Sequence, residues 1–117
     1  MPKRIYKTTR AARRKPAPAS IAHEDWLIER LKDPAEAAAY LEAAIEDGDQ
    51  GVLMIALRHV AQALGGIAEI ARRTKLSRET LYRTLSESGN PELRSLNAIL
   101  GAAGLRLAIR PAARKAT

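Results

Sequence analysis

Apolar residues recur at helical spacing along most of the chain, and most regularly between Asp49 and Leu64. Counted from Leu53, they fall at positions i, i+3, i+4, i+7, i+8 and i+11, which places them on one side of an α-helix. Asp49 is a suitable N-cap for this helix, and Gly65 and Gly66 end the pattern. We predict a central core helix whose buried residues are Leu53, Ala56, Leu57, Val60, Ala61 and Leu64.

The next segment, from Ile67 to Leu85, has the pattern of two short helices joined by a tight corner. Ser77 can cap the second helix through its hydroxyl, and Glu79 lies where a carboxylate favours the positive end of the helix dipole. This arrangement is typical of a helix-turn-helix, a motif that binds duplex DNA. The residues expected to face inward are Ile70, Ala71, Leu76, Leu81 and Leu85.

The outward face of the second helix carries side chains that could read DNA bases. Its residues are Arg78, Glu79, Tyr82 and Arg83. Arginine can pair with guanine through two hydrogen bonds, and glutamate can accept a hydrogen bond from cytosine. The same composition occurs on ordinary solvent-exposed helices, so the pattern alone leaves both interpretations open.

Two helices with acidic surfaces are predicted before the core helix. The first begins near Glu24; the second follows its N-cap Asp33, with Pro34 in the first turn, Glu36 completing a capping box and Gly48 ending it. The apolar sides comprise Trp26, Leu27 and Leu31 in the first helix and Ala37, Leu41, Ala44 and Ile45 in the second. The acidic side of the second comprises Glu42, Glu46 and Asp47. It could receive a basic protein partner or simply balance charge.

The C-terminal part predicts one more helix and a short strand. The helix runs from about Glu92 to Ala103, with Gly104 as a left-handed C-cap. Its buried residues are expected to be Leu93, Leu96, Ile99 or Leu100, and Ala103. In residues 105–110 the large apolar residues Leu105, Leu107 and Ile109 would share one face of a β-strand and the two arginines the other, which predicts a strand.

This strand has no partner elsewhere in the sequence. We therefore expect it to pair with the same strand of a second subunit or to extend a sheet in another protein. A homodimer would also suit a recognition helix, because two-fold proteins read paired half-sites. The alternative is a frayed tail that packs its apolar residues on its own subunit.

Charge is divided into three blocks, whose net values are +7 for residues 1–15, −7 for residues 16–50 and +7 for residues 51–117. The alternation indicates separate surfaces for separate partners. The first block could follow DNA phosphates, or it could be a solubilising tail. The expected organisation is a flexible basic arm (1–20), acidic N-terminal helices (21–48), a helix-turn-helix domain (49–104), the strand (105–110) and a disordered tail (111–117).

Composition argues against several other classes of protein. The chain has no Cys, which excludes disulfides and thiolate metal sites, and His23 and His59 lie too far apart for a zinc-ligand pair. We expect His59 at the surface. Because no His, Cys or Ser constellation has catalytic spacing, we expect no enzyme activity, cofactor or metal. We find no membrane-spanning apolar run and no secretory signal, so a cytoplasmic protein is expected.

From about Glu24 to Ile109 the sequence resembles the HigA-like probable addiction module antidote proteins, a branch of the lambda-repressor-like helix-turn-helix regulators. The resemblance rests on three pieces: YLEAAIEDGD at the end of the second helix, LSRETLYRTLSESGNP across the recognition helix, and GLRL at the strand. Lys75 departs from the usual pattern, which has a left-handed glycine at the corner. Residues 1–15 lie outside the pattern.

This resemblance implies a type II antitoxin that neutralises a co-encoded RelE/HigB-like ribonuclease toxin by binding it, and that represses its own operon. The implied base-contacting residues are Arg78, Glu79, Tyr82 and Arg83, and the backbone-contacting residues are Arg72, Arg73, Lys75 and Ser77. The acidic helices could cover a basic toxin surface, through Trp26, Glu29, Glu42, Glu46 and Asp47. The rival interpretations are a stand-alone helix-turn-helix repressor without a toxin partner, and an interaction adaptor in which the motif is only structural.

Overall fold

The computed structural model describes residues 18–113, with side chains from residue 22 onward, and every element in this range is helical. The helices are α1 (Pro18–Arg30), α2 (Pro34–Asp47), α3 (Gln50–Ala63), α4 (Ile67–Arg73), α5 (Arg78–Thr84) and α6 (Leu93–Ala102). The predicted all-α fold is confirmed. Because α1 begins at Pro18, it includes the end of the predicted arm. The rest of the arm, residues 1–17, and tail residues 114–117 lie outside the described residues.

The core forms around α3, against which α1, α2 and α4 all pack. The predicted buried residues Ala56, Leu57, Val60 and Ala61 are buried, and Leu53 and Leu64 are partly buried. Met54, which the helical stripe omits, is 0% exposed. Because three helices surround α3, its buried face is wider than one stripe.

Within residues 18–113 no single helix is both long and apolar enough to cross a membrane. On length and composition alone, only α3 and α4 taken together would suffice, and they are bent by 75° at the break between them.

The start of α2 differs from the predicted capping box. Asp33 does cap the helix, since its carboxylate accepts a hydrogen bond from the N–H of Ala35 at 3.0 Å. The N–H of Asp33, the expected partner of Glu36, instead donates to the carbonyl oxygen of Arg30 at 3.1 Å. Glu36 therefore pairs with the guanidinium of Arg30, Oε1 to Nη2 at 2.8 Å. This ion pair joins the end of α1 to the start of α2.

Three residues predicted on buried faces are exposed instead. The exposed fractions are 54% for Trp26, 56% for Ile45 and 65% for Leu93. Trp26 stacks on His23, with ring centroids 5.6 Å apart, and the Arg30 guanidinium lies 5.0 Å from its ring. Helical periodicity sets the direction of a buried stripe, but the packing of neighbouring helices sets its width.

The predicted strand at residues 105–110 is wrong, because the structure has no strand anywhere in residues 18–113. Gly104 is left-handed, with φ of 80°, as predicted for the end of α6. Its N–H donates to Gly101 at 3.0 Å, and the N–H of Leu105 donates to Leu100 at 2.8 Å, which together form a Schellman motif. Leu105 then packs against the core.

The other two residues of the predicted strand face remain outside the core. Leu107 is 42% exposed and Ile109 is 99% exposed, and Arg110 lies 3.7 Å from the carboxylate of Glu42. A strand needs a neighbour that pairs with its N–H and C=O groups, and the described part of the chain supplies none. The placement of large apolar residues at every second position was therefore insufficient evidence for a strand.

Candidate nucleic-acid interface

Helices α4 and α5, joined by residues 74–77, form a compact pair at one side of the bundle. Ile70 of α4 and Leu81 of α5 are both 0% exposed, and Leu76 between the helices is partly buried. α4 also packs against α3 and α6. The buried side of α5 is thus fixed to the core, and its opposite side is left open.

Thr74 supplies the corner between the two helices. Its backbone is extended, with φ of −116°, and it ends α4. Its hydroxyl donates to the carbonyl oxygen of Ile70 at 2.8 Å and accepts from the N–H of Leu76 at 3.2 Å. These bonds satisfy backbone groups that a helix end leaves without a partner. The corner is therefore supported by Thr74, even though position 75 is a lysine and not the usual glycine.

Ser77 is the N-cap of α5, as predicted. Its hydroxyl oxygen accepts a hydrogen bond from the N–H of Thr80 at 3.0 Å and donates to the Thr80 hydroxyl, also at 3.0 Å. The Ser77 side chain, a predicted DNA-backbone contact, is thus engaged in holding the first turn. This cap determines where α5 begins, and hence which side chains point outward.

The predicted base-contacting residues share the open side of α5. Arg78, Glu79, Tyr82 and Arg83 are all exposed, and Tyr82 is 64% exposed. Their spacing of one, three and four residues places them on one face of the helix. Within residues 18–113, the charged members of this set form no ion pair. Their polar groups are therefore available to a ligand.

Tyr82 also lines a groove of about 530 Å³, to which α3 contributes Ile55 and His59.

His59, predicted at the surface, is partly buried: its Nδ1 lies 2.7 Å from the Tyr40 hydroxyl and its Nε2 lies 4.0 Å from Glu24. Burial raises the pKa of Tyr40. In the described range no group of three His, Cys, Asp or Glu residues could hold a metal ion.

Arg72 and Arg73, predicted to contact the DNA backbone, are held by Glu69 one turn earlier. Arg72 Nε donates to Glu69 Oε1 at 3.1 Å, and Arg73 Nε donates to Oε2 at 2.9 Å. These hydrogen bonds lower the pKa of Glu69 to about 2. Arg73 also donates to the carbonyl oxygen of Ala102, at 3.3 Å, in the last turn of α6. Both guanidinium groups are thus oriented at the end of α4.

Lys75 lies at a cleft of about 500 Å³ between the corner and α6. Arg73 and Arg94 also line this cleft, and its lining includes no acidic residue. Our sequence-based assignment missed Arg94. The available signal was its position in the first turn of a helix, where a positive charge opposes the helix dipole.

The residues assigned to toxin binding lie away from this basic cleft, on the first two helices. Trp26 and Glu29 belong to α1, whereas Glu42, Glu46 and Asp47 belong to α2, and all five are exposed. Glu29 pairs with Lys32 at 3.0 Å. Neither α1 nor α2 contributes a residue to the cleft at Lys75. The acidic and basic surfaces are therefore built by different helices.

Comparisons with known proteins match the part of the chain that contains these helices. A family model described as "Probable addiction module antidote protein" matches residues 24–111. The chain is also similar to an uncharacterised protein of Haemophilus influenzae, with 29% identity over 84 residues, or 72% of this chain and 86% of that protein. No solved structure matches significantly. Since the family model spans most of the chain, from α1 to beyond α6, the protein belongs to the family of probable addiction module antidote proteins.

Proposed function

We propose that this protein is the antitoxin of a type II toxin–antitoxin module. In this proposal it binds and neutralises a co-encoded, RelE/HigB-like ribonuclease, and it represses its own operon by binding duplex operator DNA. Membership of the antidote family supports the toxin partner. The DNA-binding part rests on one observation: a capped helix, α5, turns Arg78, Tyr82 and Arg83 outward beside the basic end of α4.

In the proposed complex, the N-terminal part of α5 enters the major groove as the recognition helix of a helix-turn-helix. Arg78 and Arg83 pair with guanine, and Glu79 accepts from cytosine. Tyr82 contacts a thymine methyl group or the backbone. Phosphate contacts come from the residues just before α5, namely Arg72, Arg73 and Lys75. The hydrogen bonds of Glu69 support this role by limiting the conformational freedom that Arg72 and Arg73 would lose on binding.

We also propose that the protein binds its operator as a homodimer, because two recognition helices read two half-sites about one helical turn apart. Residues 105–110 are not the dimer surface in this proposal, since they form no strand.

Toxin neutralisation in this proposal uses the acidic surface of α1 and α2. A ribonuclease needs positive charge to hold RNA, so carboxylates that cover this charge would block substrate binding. Exposed carboxylates on α2 are available through Glu46 and Asp47, and through Glu42 once it leaves its exposed partner Arg110. The protein acts by binding alone and performs no catalysis, so it needs no cofactor.

The DNA-binding proposal is tested by titrating the protein against its upstream DNA and an unrelated duplex over a salt series. The Arg78→Ala, Arg83→Ala variant should lose about 1–3 kcal/mol of operator binding per arginine, with a smaller effect on the unrelated duplex. The wild-type titration should reach two chains per operator.

The matched control is the Arg106→Ala, Arg110→Ala variant, which removes the same charge from the exposed segment after α6 and breaks only the solvent-exposed contact of Arg110 with Glu42 on α2. If the two variants bound operator with equal affinity, α5 would not be the recognition helix.

A further inference from the structure

We propose that the cleft between the α4–α5 corner and α6 binds a phosphate of the DNA backbone, and that Arg94 is one of its contacts. This inference rests on the proposed DNA binding and adds a site on a third helix. Arg94 lies on α6, whereas all the residues so far assigned to DNA lie on α4, on α5 or in the corner between them.

The shape of the cleft suits a phosphodiester. The α6 side is lined by the small residues Ala98, Gly101 and Ala102, while Arg73, Lys75 and Arg94 bring positive charge to the same space. A Cβ atom added at Gly101 would meet no atom within 4 Å, so this side of the cleft is open to solvent. A chain of sugars and phosphates could therefore lie across it.

The charges of the cleft favour an anion. Arg73 is held against α6 by Glu69 and the Ala102 carbonyl, whereas Lys75 and Arg94 are exposed and form no ion pair within residues 18–113. Glu69 partly neutralises Arg73, so the positive potential of the cleft comes mainly from Lys75 and Arg94, which no acidic residue of the lining balances.

Arg94 is also unfavourably placed within its own helix. It is the second residue of α6, whose first turn contains no acidic residue, although the N-cap residue before it is Glu92. A cation at this end opposes the helix dipole, and a bound anion would relieve this repulsion.

The position of the cleft identifies the anion as a DNA phosphate. Leu76, which precedes the Ser77 N-cap, lines the cleft, so the cleft adjoins the end of α5 that would enter the major groove. The two DNA strands run along either side of that groove, which brings one backbone to the corner. A phosphate in the cleft would fix the angle at which α5 enters.

The test compares Arg94→Ala with Arg106→Ala, which removes the same charge from an exposed residue outside the cleft. Affinities for the upstream DNA and for an unrelated duplex are measured between 50 and 200 mM salt. For Arg94→Ala the slope of log affinity against log salt should fall in magnitude by about 0.9. The loss of affinity should be about threefold larger at 50 mM than at 200 mM salt, and equal for the two duplexes. Arg94→Lys should restore the slope, because a phosphate accepts either cation.

The possible results separate this site from the proposed function. If Arg94→Ala behaved like Arg106→Ala while the Arg78→Ala, Arg83→Ala variant lost operator preference, the cleft assignment would be wrong and α5 would still read DNA. If Arg94→Ala weakened capture of the co-encoded toxin but not DNA binding, the cleft would be a protein contact. If the wild-type protein bound neither duplex, both the cleft site and the DNA-binding function would be wrong.

Discussion

Single residues decide whether the loop between α5 and α6 can close, and Gly89 is the clearest case. This residue is buried, its N–H donates to Ser86 at 2.9 Å, and its carbonyl oxygen accepts from the Gln50 side chain at 3.2 Å. A Cβ at this position would overlap the carbonyl oxygen of Thr84 and lie 2.9 Å from that of Ser86. Both obstacles are backbone atoms, so rotating a side chain cannot remove them.

We therefore expect Gly89→Ala to lower the free energy of unfolding by about 1–3 kcal/mol, the usual effect of overpacking. Chemical denaturation would measure the change. Gly101→Ala is the matched control: it lies in α6 with open space around it, and alanine there should stabilise by about 0.5–1 kcal/mol. Equal stabilities for the two variants would contradict the tight fit at Gly89.

At the scale of elements, caps and breakers could be predicted because each depends on a few neighbouring residues. Asp33, Asp49 and Ser77 cap the expected helices, and Gly48 and Gly104 end two of them in the left-handed conformation. The strand was wrong because pairing depends on a partner outside the local pattern. The capping box at Glu36 failed for a similar reason, since Arg30 lies outside the motif that predicts it.

The cap of α5 links stability to the proposed DNA binding. Ser77→Ala removes the acceptor for the Thr80 N–H and should lower the free energy of unfolding by about 1 kcal/mol. Ser77→Asp keeps an acceptor, so its stability should stay near wild type, but its negative charge should weaken operator binding. Denaturation and DNA titration of both variants would measure the two effects. Wild-type stability in Ser77→Ala would mean that the cap does not hold α5.

For the whole molecule, the acidic block at residues 16–50 and the basic block at residues 51–117 form separate surfaces within the described residues. The exposed carboxylates of α1 and α2 lie on helices that add nothing to the basic cleft, which is built from α4, the corner and α6. The charge blocks could predict this separation because the acidic block contains the whole of α1 and α2, and the basic block after it contains the whole of α4, α5 and α6. Arg94 could not be grouped with Lys75 in this way, because only the packing of α6 beside the corner brings them to one cleft.

The central claim is that one small chain binds toxin and DNA through different surfaces. Calorimetric titration of the co-encoded toxin with two variants tests it most directly. The Glu42→Gln, Glu46→Gln, Asp47→Asn variant should lose about tenfold or more in toxin affinity, because charges on the proposed interface are removed. The Arg78→Ala, Arg83→Ala variant should bind toxin like the wild type. If the α5 variant lost toxin binding while the acidic variant kept it, the assignment of surfaces would be wrong.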